Sequence, residues 1–523
     1  MITLPKLKAA AQAALRQVSR EKDIRAAEVF ASSTGQSLCR LNYTSAIPCH
    51  GVEEPKSTES YGLGVRAVFE IDRETRVGFG SEARDLSPAG IRRAIEKARL
   101  NAVPDPEFSG FPEPMSNGKG PAGKTSRDQA DRTMMDLKDE TLVTSGWRVL
   151  QEALKTFDRP EALSALGVAK DRLAALGLIV GGDVTVHRQR MAIASTTMPK
   201  VQTDESTYLT CSVTSMIERK AAKGTGYDAT AHFSKFKGEA GSEAVQQAIK
   251  AADGVRLPTG TYAVVLGPQP VADIMTNVVL PSLSADAFYA SRSAFLGDID
   301  RPIAANLLSV YDHGAAKGAV GTKRLTCEGL PTGRTDLIRR GTLCGLLSSH
   351  YETQRLLRDP QAREKLGLNP VEHPDVLVPR NGFRLSSQGS RQFDAPPTIA
   401  ATNVFIEGAQ PHTTDSLLNL VGDGVYIGRI WYTYPMNGLR AGDFTCTIVG
   451  DSYEIKNGRL GAPLRGNAVR LTANIRLLLR NVLGITQAHR PIVGWASDEV
   501  IYAPEVAVRD VALAEIAQFA DSV

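Results

Sequence analysis

A strand-like stretch followed by an unusually apolar, helix-like stretch sets the first constraint on this chain. The segment TYAVVLG is typical of a strand. The segment VADIMTNVVLPSL, from Val271 to Leu283, follows it and is expected to begin a helix. Between Asp273 and Ser284 this second segment has no ionisable side chain. A strand leading into a helix indicates a mixed α and β fold, and the apolar helix raises the question of what it serves.

The length and the composition are typical of a multidomain globular protein. A chain of 523 residues is too long for one compact core, which suggests two or three domains. The 42% of hydrophobic and 23% of charged residues are ordinary for such proteins. The net charge is +4 without a polybasic run, so charge gives no reason to expect nucleic acid or a membrane as a partner.

The N-terminus and the cysteines favour a cytoplasmic protein. The opening stretch MITLPKLKAAAQAALRQVSREKD is interrupted by charges, which favours an amphipathic surface helix over an export signal. No uninterrupted apolar run reaches the length of a membrane span. The six cysteines are scattered without a CxxC pair, as expected for buried thiols in a reducing compartment.

Changes of pattern along the chain predict an α+β protein with three domains. We expect an N-terminal α+β domain over residues 1–110, a Gly- and Pro-rich linker over 111–134, a central α+β domain over 135–258 and a β-rich C-terminal domain over 259–523. The helix at 271–283 falls at the start of the last domain.

Three local sequence patterns predict the position of a helix start and of two hairpin turns to within a few residues. Ser87 followed by Pro88 is a standard helix start. Alternating patterns on either side of Asp72 to Thr75 predict one hairpin, and Asn457-Gly458 predicts a second.

A search for catalytic motifs is mostly negative. The chain has no GxGxxG at a strand-to-helix turn, no GxxxxGK[ST], no GxSxG, and no HExxH or HExxxH. Its eight histidines are isolated, and the adjacent Cys49-His50 pair would face opposite sides of a strand. The carboxylates Asp298 and Asp300 suit acid/base chemistry but are more typical of a solvated loop.

An aromatic cluster is the remaining candidate for binding. Tyr426, Tyr432 and Tyr434 are separated by even numbers of residues, so they are expected to share one face of a strand, and Trp431 lies among them. Core packing and a platform for stacking a ligand are both compatible with this pattern.

The order of several segments resembles the TldD/PmbA family, whose proteins were once called modulators of DNA gyrase. The matching stretches are YGLGVRAVF with RVGFGS and DLSPAGIRRAIEKA, then MAIASTTMPKVQTDESTYLTCSVTS with GTGYDAT, TYAVVLGP, SRSAFLGDIDRPIAANLLSVYDHG, CEGLPTGRTDLIRRGTL, and GDFTCTIVGDSYEIKNGRLGAPLRG. They extend from about residue 60 to residue 485 in family order, which identifies the chain as a member of the family.

The resemblance implies that the helix after the VVL strand lies at a metal site. In the TldD branch that helix has an HExxxH motif, in which two histidines bind zinc and the glutamate activates water. Aligned from VVL without a gap, this chain has Thr276, Asn277 and Pro281 at the His, Glu and His positions. None of the three can serve as a zinc ligand or general base in those roles. The C-terminal region also lacks the branch's ligand cysteine, and His489 there is interpreted as structural.

The chain therefore resembles the PmbA/TldE-like branch, which lacks the zinc motif. The resemblance implies no catalytic residue and no metal in this chain, with zinc expected in a TldD-type, HExxxH-containing partner that forms a heterodimer. The substrate would be an extended peptide that adds as a strand to a sheet edge. By the same resemblance, Tyr432, Tyr434, Asn437 and Asp443 are expected to contact that peptide.

Three other functions stay open from the sequence. The chain is alternatively a self-sufficient homodimeric enzyme with rebuilt chemistry in a biosynthetic or peptide-modification pathway, or a peptide-binding homodimer without catalysis. DNA or gyrase binding rests on the old name and is disfavoured by the near-neutral charge. The stretch of residues 111–134 and the segment of residues 363–397 look longer than the family core or differently composed, and a lid, a dimer contact and a disordered loop stay open for both.

Overall fold

A long antiparallel sheet forms the N-terminal half of the molecule. The computed structural model describes residues 1–47, 49–71, 74–113, 130–198, 200–385, 391–494 and 498–516. Seven strands make the first sheet in the order β4-β3-β2-β1-β5-β6-β7. Their bounds are β1 Ile24–Thr44, β2 Lys56–Ile71, β3 Glu74–Ala83, β4 Val103–Pro104, β5 Leu178–Ser195, β6 Gln202–Ile217 and β7 Ala222–Thr230.

The pairing of β1 with β5 joins the two segments that the sequence divides at residue 110. β1 pairs with β2 on one side and with β5 on the other, so strands from both predicted segments form one sheet. The predicted linker lies mostly at 114–129, outside the described residues. The β2–β3 hairpin is confirmed by the pairing of Ile71 with Glu74.

Helices cover one face of each half of this sheet. Their bounds are α1 Leu4–Val18, α2 Pro88–Leu100, α3 Arg132–Met135, α4 Asp139–Phe157, α5 Pro160–Leu166 and α6 Glu239–Lys250. The predicted start of α2 is confirmed, because the Ser87 side chain accepts a hydrogen bond from the Gly90 N–H and Pro88 is the first helical residue. Close helix contact requires glycine on the strands: a Cβ at Gly226 of β7 would lie 1.9 Å from the Ala240 carbonyl oxygen of α6.

The C-terminal half contains two larger mixed sheets and a small one. The six-stranded sheet has the order β11-β10-β9-β14-β24-β23, and the ten-stranded sheet has the order β17-β18-β21-β25-β8-β16-β19-β20, with β22 beside β25 and β15 beside β22. β12 and β13 pair only with each other among the described strands. The bounds are β8 Gly260–Leu266, β9 Leu308–His313, β10 Arg334–Arg339, β11 Thr342–Leu343, β12 Gly382–Phe383, β13 Thr398–Ile399, β14 Asn403–Gly408, β15 Pro411–His412, β16 Gly424–Ile427, β17 Arg429–Pro435, β18 Asp443–Gly450, β19 Tyr453–Lys456, β20 Arg459–Pro463, β21 Val469–Asn474, β22 Val482–Thr486, β23 Arg490–Val493, β24 Val500–Ala503 and β25 Val506–Glu515.

Short helices connect these strands, and the fold as a whole is α+β, as predicted. The helices are α7 Pro268–Ile274, α8 Leu280–Ser282, α9 Ala285–Tyr289, α10 His350–Arg358, α11 Ala362–Leu366, α12 Thr414–Val421 and α13 Ile475–Arg480. A 3₁₀ helix of seven residues occurs at Lys170–Leu176, and shorter 3₁₀ segments occur at Glu218–Lys220, Phe233–Lys235, Pro374–Leu377 and Leu439–Ala441. The hairpin at Asn457-Gly458 is confirmed between β19 and β20, where both turn residues have positive φ. Among the described residues, no helix is long and apolar enough to cross a membrane.

Buried ion pairs fasten the segment of residues 363–397 to the N-terminal sheet. Arg384 pairs with Glu28 of β1, and Arg391 pairs with Asp204 of β6, with all four side chains inaccessible to solvent. These ion pairs place Arg384 and Arg391 inside the protein, against the N-terminal sheet. The expectation of a disordered loop is wrong for these two residues, because each finds a buried carboxylate within the same chain, whereas a lid or a dimer contact elsewhere in the segment stays a prediction.

Candidate functional site

The apolar helix predicted after TYAVVLG spans Pro268–Ser282 and begins directly after the central strand β8. It consists of α7, a π-helical turn at Met275–Val279 and α8. Its buried residues pack into the main C-terminal core, as listed: Val271, Ala272, Ile274, Met275, Val278, Val279 and Leu280. The lack of ionisable side chains is therefore a consequence of burial.

The widened π turn lies immediately before Pro281. A proline has no N–H to donate to the carbonyl four residues earlier, and its ring crowds that carbonyl, which here belongs to Asn277. A π turn relaxes this contact without ending the helix, and such turns are frequent at functional sites.

The three residues that the sequence predicts at the family's HExxxH positions lie on the walls of two pockets on either side of this helix. Thr276 lines both pockets, Asn277 lines the first and Pro281 lines the second. The Thr276 hydroxyl is buried and has no hydrogen-bond partner among the described residues. The Asn277 amide donates to Asp273, at 2.9 Å to its backbone oxygen and 3.2 Å to its Oδ1.

These three side chains do not fit the zinc that the family implies. A hydroxyl, an amide already donating to a carboxylate and a proline ring supply none of the imidazole, thiolate or carboxylate ligands that zinc prefers. Within the described ranges, no group of three or more His, Cys, Asp or Glu side chains is arranged to hold a metal ion.

The first pocket, called here the aromatic pocket, has a volume of about 590 Å³. Its wall combines aromatic rings with charged groups from the helix, α6, β17, β23 and the turn after β18. Its lining residues include Tyr227, Glu243, Asp273, Thr276, Asn277, Arg429, Trp431, Tyr432, Tyr434, Asp451 and Arg490.

Tyr432 and Tyr434 project from an edge strand of the ten-stranded sheet into this pocket. They are 71% and 53% exposed, and among the described strands β17 pairs with β18 alone. The other edge is partly covered at Ile430, whose N–H donates to Gln269 Oε1 at 2.9 Å while its carbonyl accepts from Gln269 Nε2 at 3.3 Å. The side-chain amide of Gln269 thus occupies the edge at Ile430 as a neighbouring strand would.

The expected alignment of three tyrosines on one strand face is wrong. Tyr426 lies on β16, and its hydroxyl donates to Glu505 at 2.9 Å. Tyr432 has a φ of +57° at an irregularity between Trp431 and Tyr434, which breaks the two-residue alternation. The even-numbered separations do not produce a common strand face, because the chain passes from β16 to β17 after Ile427 and a bulge follows at Tyr432.

Asn437 and Asp443 lie at the turn that joins β17 to β18, and neither lines the two pockets. Asn437 has a φ of +58°. Asp443 Oδ1 accepts from the Asn474 side chain at 2.9 Å, and its backbone oxygen accepts from the Met436 N–H at 2.7 Å. The structure therefore brings Tyr432 and Tyr434 to the aromatic pocket and places Asn437 and Asp443 in its supporting turn, where a contact with peptide stays a prediction.

Three charged residues of the aromatic pocket were missed from the sequence. Burial raises the pKa of Asp451 to about 6, raises the pKa of Asp273 and lowers the pKa of Arg429. Asp451 lies in the tripeptide GDS between two strands, where an aspartate is typical of an ordinary turn. Only its burial in the folded chain distinguishes it.

The second pocket, called here the arginine pocket, has a volume of about 570 Å³ on the opposite side of the helix. The Arg66 guanidinium lines it and stacks 4.6 Å from the centre of the Phe108 ring. Burial raises the pKa of Glu499, which also lines this pocket, and of Glu328 behind Arg66, to about 7 in each case.

Two other candidates from the sequence have structural partners. His489 Nε2 lies 2.9 Å from the Ile406 carbonyl oxygen. Asp298 forms an ion pair with Arg476 at 2.7 Å. Both contacts tie loops to neighbouring elements, away from the two pockets.

Comparison with known families defines the class of this chain as metallopeptidase-like. Two family models match the chain: the PmbA/TldA metallopeptidase C-terminal domain over residues 259–515 and the PmbA/TldA metallopeptidase domain 1 over residues 51–102. The chain belongs to the TldD/PmbA family, as the order of its segments predicted.

Solved structures share the fold over nearly the whole chain. TldE from Thermococcus kodakarensis is 15% identical with a TM-score of 0.75, covering 97% of this chain and 100% of that one. A putative modulator of DNA gyrase from Bacteroides thetaiotaomicron is 17% identical with a TM-score of 0.72, covering 99% and 100%. At these identities the likeness shows the fold.

Relatives found by sequence are similarly distant. An uncharacterized protein of Methanocaldococcus jannaschii is 24% identical over 410 residues, which is 78% of this chain and 80% of the relative. A metalloprotease of Synechocystis is 26% identical over 247 residues, which is 46% of each chain.

Proposed function

We propose that this chain is the non-metal subunit of a TldD/TldE-type zinc peptidase, in which a partner with an intact HExxxH motif holds the zinc. The observation that carries the proposal is the helix Pro268–Ser282, which has Thr276, Asn277 and Pro281 at the three motif positions. The helix remains packed in the core and remains flanked by two pockets. The frame of the site is thus present without its metal ligands.

The role of this subunit is to hold an extended peptide. The support comes from β17, which has one edge that pairs with no strand in the described part of the chain, beside the exposed rings of Tyr432 and Tyr434. Main-chain hydrogen bonds to a strand edge bind a peptide irrespective of its sequence, and aromatic rings add contact area for its side chains. The substrate is accordingly an unfolded or extended peptide.

Co-expression with an HExxxH-containing family member from the same source tests this proposal. We expect a one-to-one complex by size-exclusion chromatography with mass measurement, with one zinc per complex, and cleavage of an unstructured peptide only when both chains are present. The chain purified alone is expected to hold much less than one equivalent of zinc. Stoichiometric zinc in the isolated chain, or a stable homodimer that does not bind the partner, would refute the subunit role.

A further inference from the structure

Asp451 is a buried carboxylate with one oxygen left open in the aromatic pocket. The residue is 8% exposed. Its Oδ2 accepts a hydrogen bond from the Thr225 hydroxyl, whereas its Oδ1 has no partner among the described residues. A buried carboxylate oxygen without a hydrogen-bond donor is energetically unfavourable, so a ligand with an N–H or O–H group would be stabilised at this position.

Arg429 presents the complementary charge beside Asp451. It lies on β17 and pairs with Gly450, the neighbour of Asp451, on β18. Burial lowers the pKa of Arg429 while the charge of Asp451 raises it, yet the guanidinium makes no hydrogen bond or ion pair with any described residue. A cation and an anion therefore face the same cavity without being joined.

The other charged groups of the pocket are already engaged. Arg490 pairs with Glu243 at 2.5 Å and also donates to the Tyr227 carbonyl oxygen. Asp273 accepts from the Asn277 amide at 3.2 Å. Asp451 and Arg429 are thus neighbouring opposite charges on this wall that form no ion pair with any described residue.

The edge of β17 indicates that a peptide ends near these two residues. A peptide added beside Tyr432 and Tyr434 would reach Ile430 next, but the Gln269 amide occupies the edge groups of Ile430. Because Arg429 and Asp451 lie just beyond this point, they face the end of such a peptide and not its middle.

We propose that the aromatic pocket binds the free N-terminus of the peptide. The α-ammonium group donates to Asp451 Oδ1, and the first carbonyl oxygen accepts from the Arg429 guanidinium. A C-terminal carboxylate would satisfy Arg429 but would repel Asp451, whereas an N-terminus satisfies both. This inference rests on the proposed peptide-binding function and specifies which end of the substrate this subunit holds.

The test compares peptides that differ only at their ends. The full-length chain is titrated in a calorimeter with a short unstructured peptide of alanine, glycine and serine that has a free N-terminus and a C-terminal amide, and with its N-acetylated form. A third, N-acetylated peptide has one internal lysine and distinguishes a side-chain ammonium from the α-ammonium. We expect the free peptide to bind roughly 10- to 100-fold more tightly than either acetylated peptide, the range of a charge-assisted hydrogen bond.

Two variants and a matched control assign this difference to the pocket. Asp451→Asn keeps the shape and an acceptor for Thr225, and asparagine tolerates the φ of +50° at this position. It is expected to reduce binding of the free peptide to the level of the acetylated one. Arg429→Gln is expected to weaken both peptides by the same factor. Glu454→Gln, on β19 and paired on the surface with Lys456, is expected to change neither.

The outcomes separate this inference from the proposed function. Equal binding of free and acetylated peptides, unchanged by Asp451→Asn, would overturn N-terminal recognition and leave peptide binding intact. Equally tight binding of the acetylated lysine peptide would assign the ammonium to a side chain and also overturn it. Binding of none of the peptides would refute the proposed function itself.

Discussion

Replacing Asp204 by Asn tests how the N-terminal sheet is attached to the C-terminal half. Asp204 Oδ2 accepts from Arg391 Nη2 at 2.5 Å and from the backbone N–H groups of Arg324 and Leu325 at 2.8 and 3.3 Å. Its Oδ1 accepts from Arg324 Nε at 3.2 Å. Asp204 and Arg391 are 2% and 0% exposed, so the neutral variant leaves a guanidinium buried without a counter-charge.

The expected loss is about 3 kcal/mol of unfolding free energy. Removing one partner of a buried ion pair costs about 3 to 5 kcal/mol. The lower end applies because asparagine still accepts from the backbone N–H groups, and because the Arg324 side chain is 23% exposed and turns to water. Urea-induced unfolding followed by fluorescence and circular dichroism measures the change through the midpoint and the m-value.

Two further variants make the reasoning refutable. Asp336→Asn breaks ion pairs with Arg334 and Arg339, whose side chains are 50% and 67% exposed, and is expected to cost at most about 1 kcal/mol. The double variant Asp204→Asn/Arg391→Met removes both charges, keeps an acceptor for the backbone N–H groups of Arg324 and Leu325, and is expected to recover most of the loss. A loss below about 1 kcal/mol in Asp204→Asn, or a double variant as unstable as the single one, would show that the buried charge is not the cause.

Three further predictions follow from the same structure. Tyr432→Ala with Tyr434→Ala is expected to lower peptide turnover by the two-chain complex roughly 10-fold, because exposed rings beside a binding edge supply most of the contact energy; unchanged turnover in a peptidase assay would contradict this. Gly226→Ala is expected to destabilise the protein by about 1 to 3 kcal/mol, because the added methyl meets the α6 backbone, and an unaltered urea midpoint would show that α6 shifts freely. The pKa values of Glu328 and Glu499 are raised by burial to about 7, so the folded state binds more protons than the unfolded state between about pH 4.5 and 7. Stability is therefore expected to fall by at least about 1.4 kcal/mol as pH rises from 5 to 8, and a rise in the urea midpoint over this range would contradict the assignment.

Local features of the molecule were determined by neighbouring residues in the sequence. The start of α2 at Ser87-Pro88 and the turn at Asn457-Gly458 depend on backbone preferences and hydrogen bonds within a few residues, so a short window specifies them. The identities of Thr276, Asn277 and Pro281 are likewise sequence facts, and none of the three side chains is an imidazole, thiolate or carboxylate of the kind that zinc prefers.

The tertiary structure alone decided which distant residues meet. The pairing of β1 with β5 joins strands that lie far apart in the chain, and no local pattern specifies such a partner. Arg384 reads as a surface residue until Glu28 is placed beside it in the core. Asp451 and Arg429 are only 22 residues apart in the chain, but the sequence does not show that both are buried. The Asp451 oxygen without a donor and the unpaired Arg429 guanidinium result from the elements that pack around them. Burial and charge compensation are properties of assembled neighbours, and for this reason the aromatic pocket appears only in the folded chain.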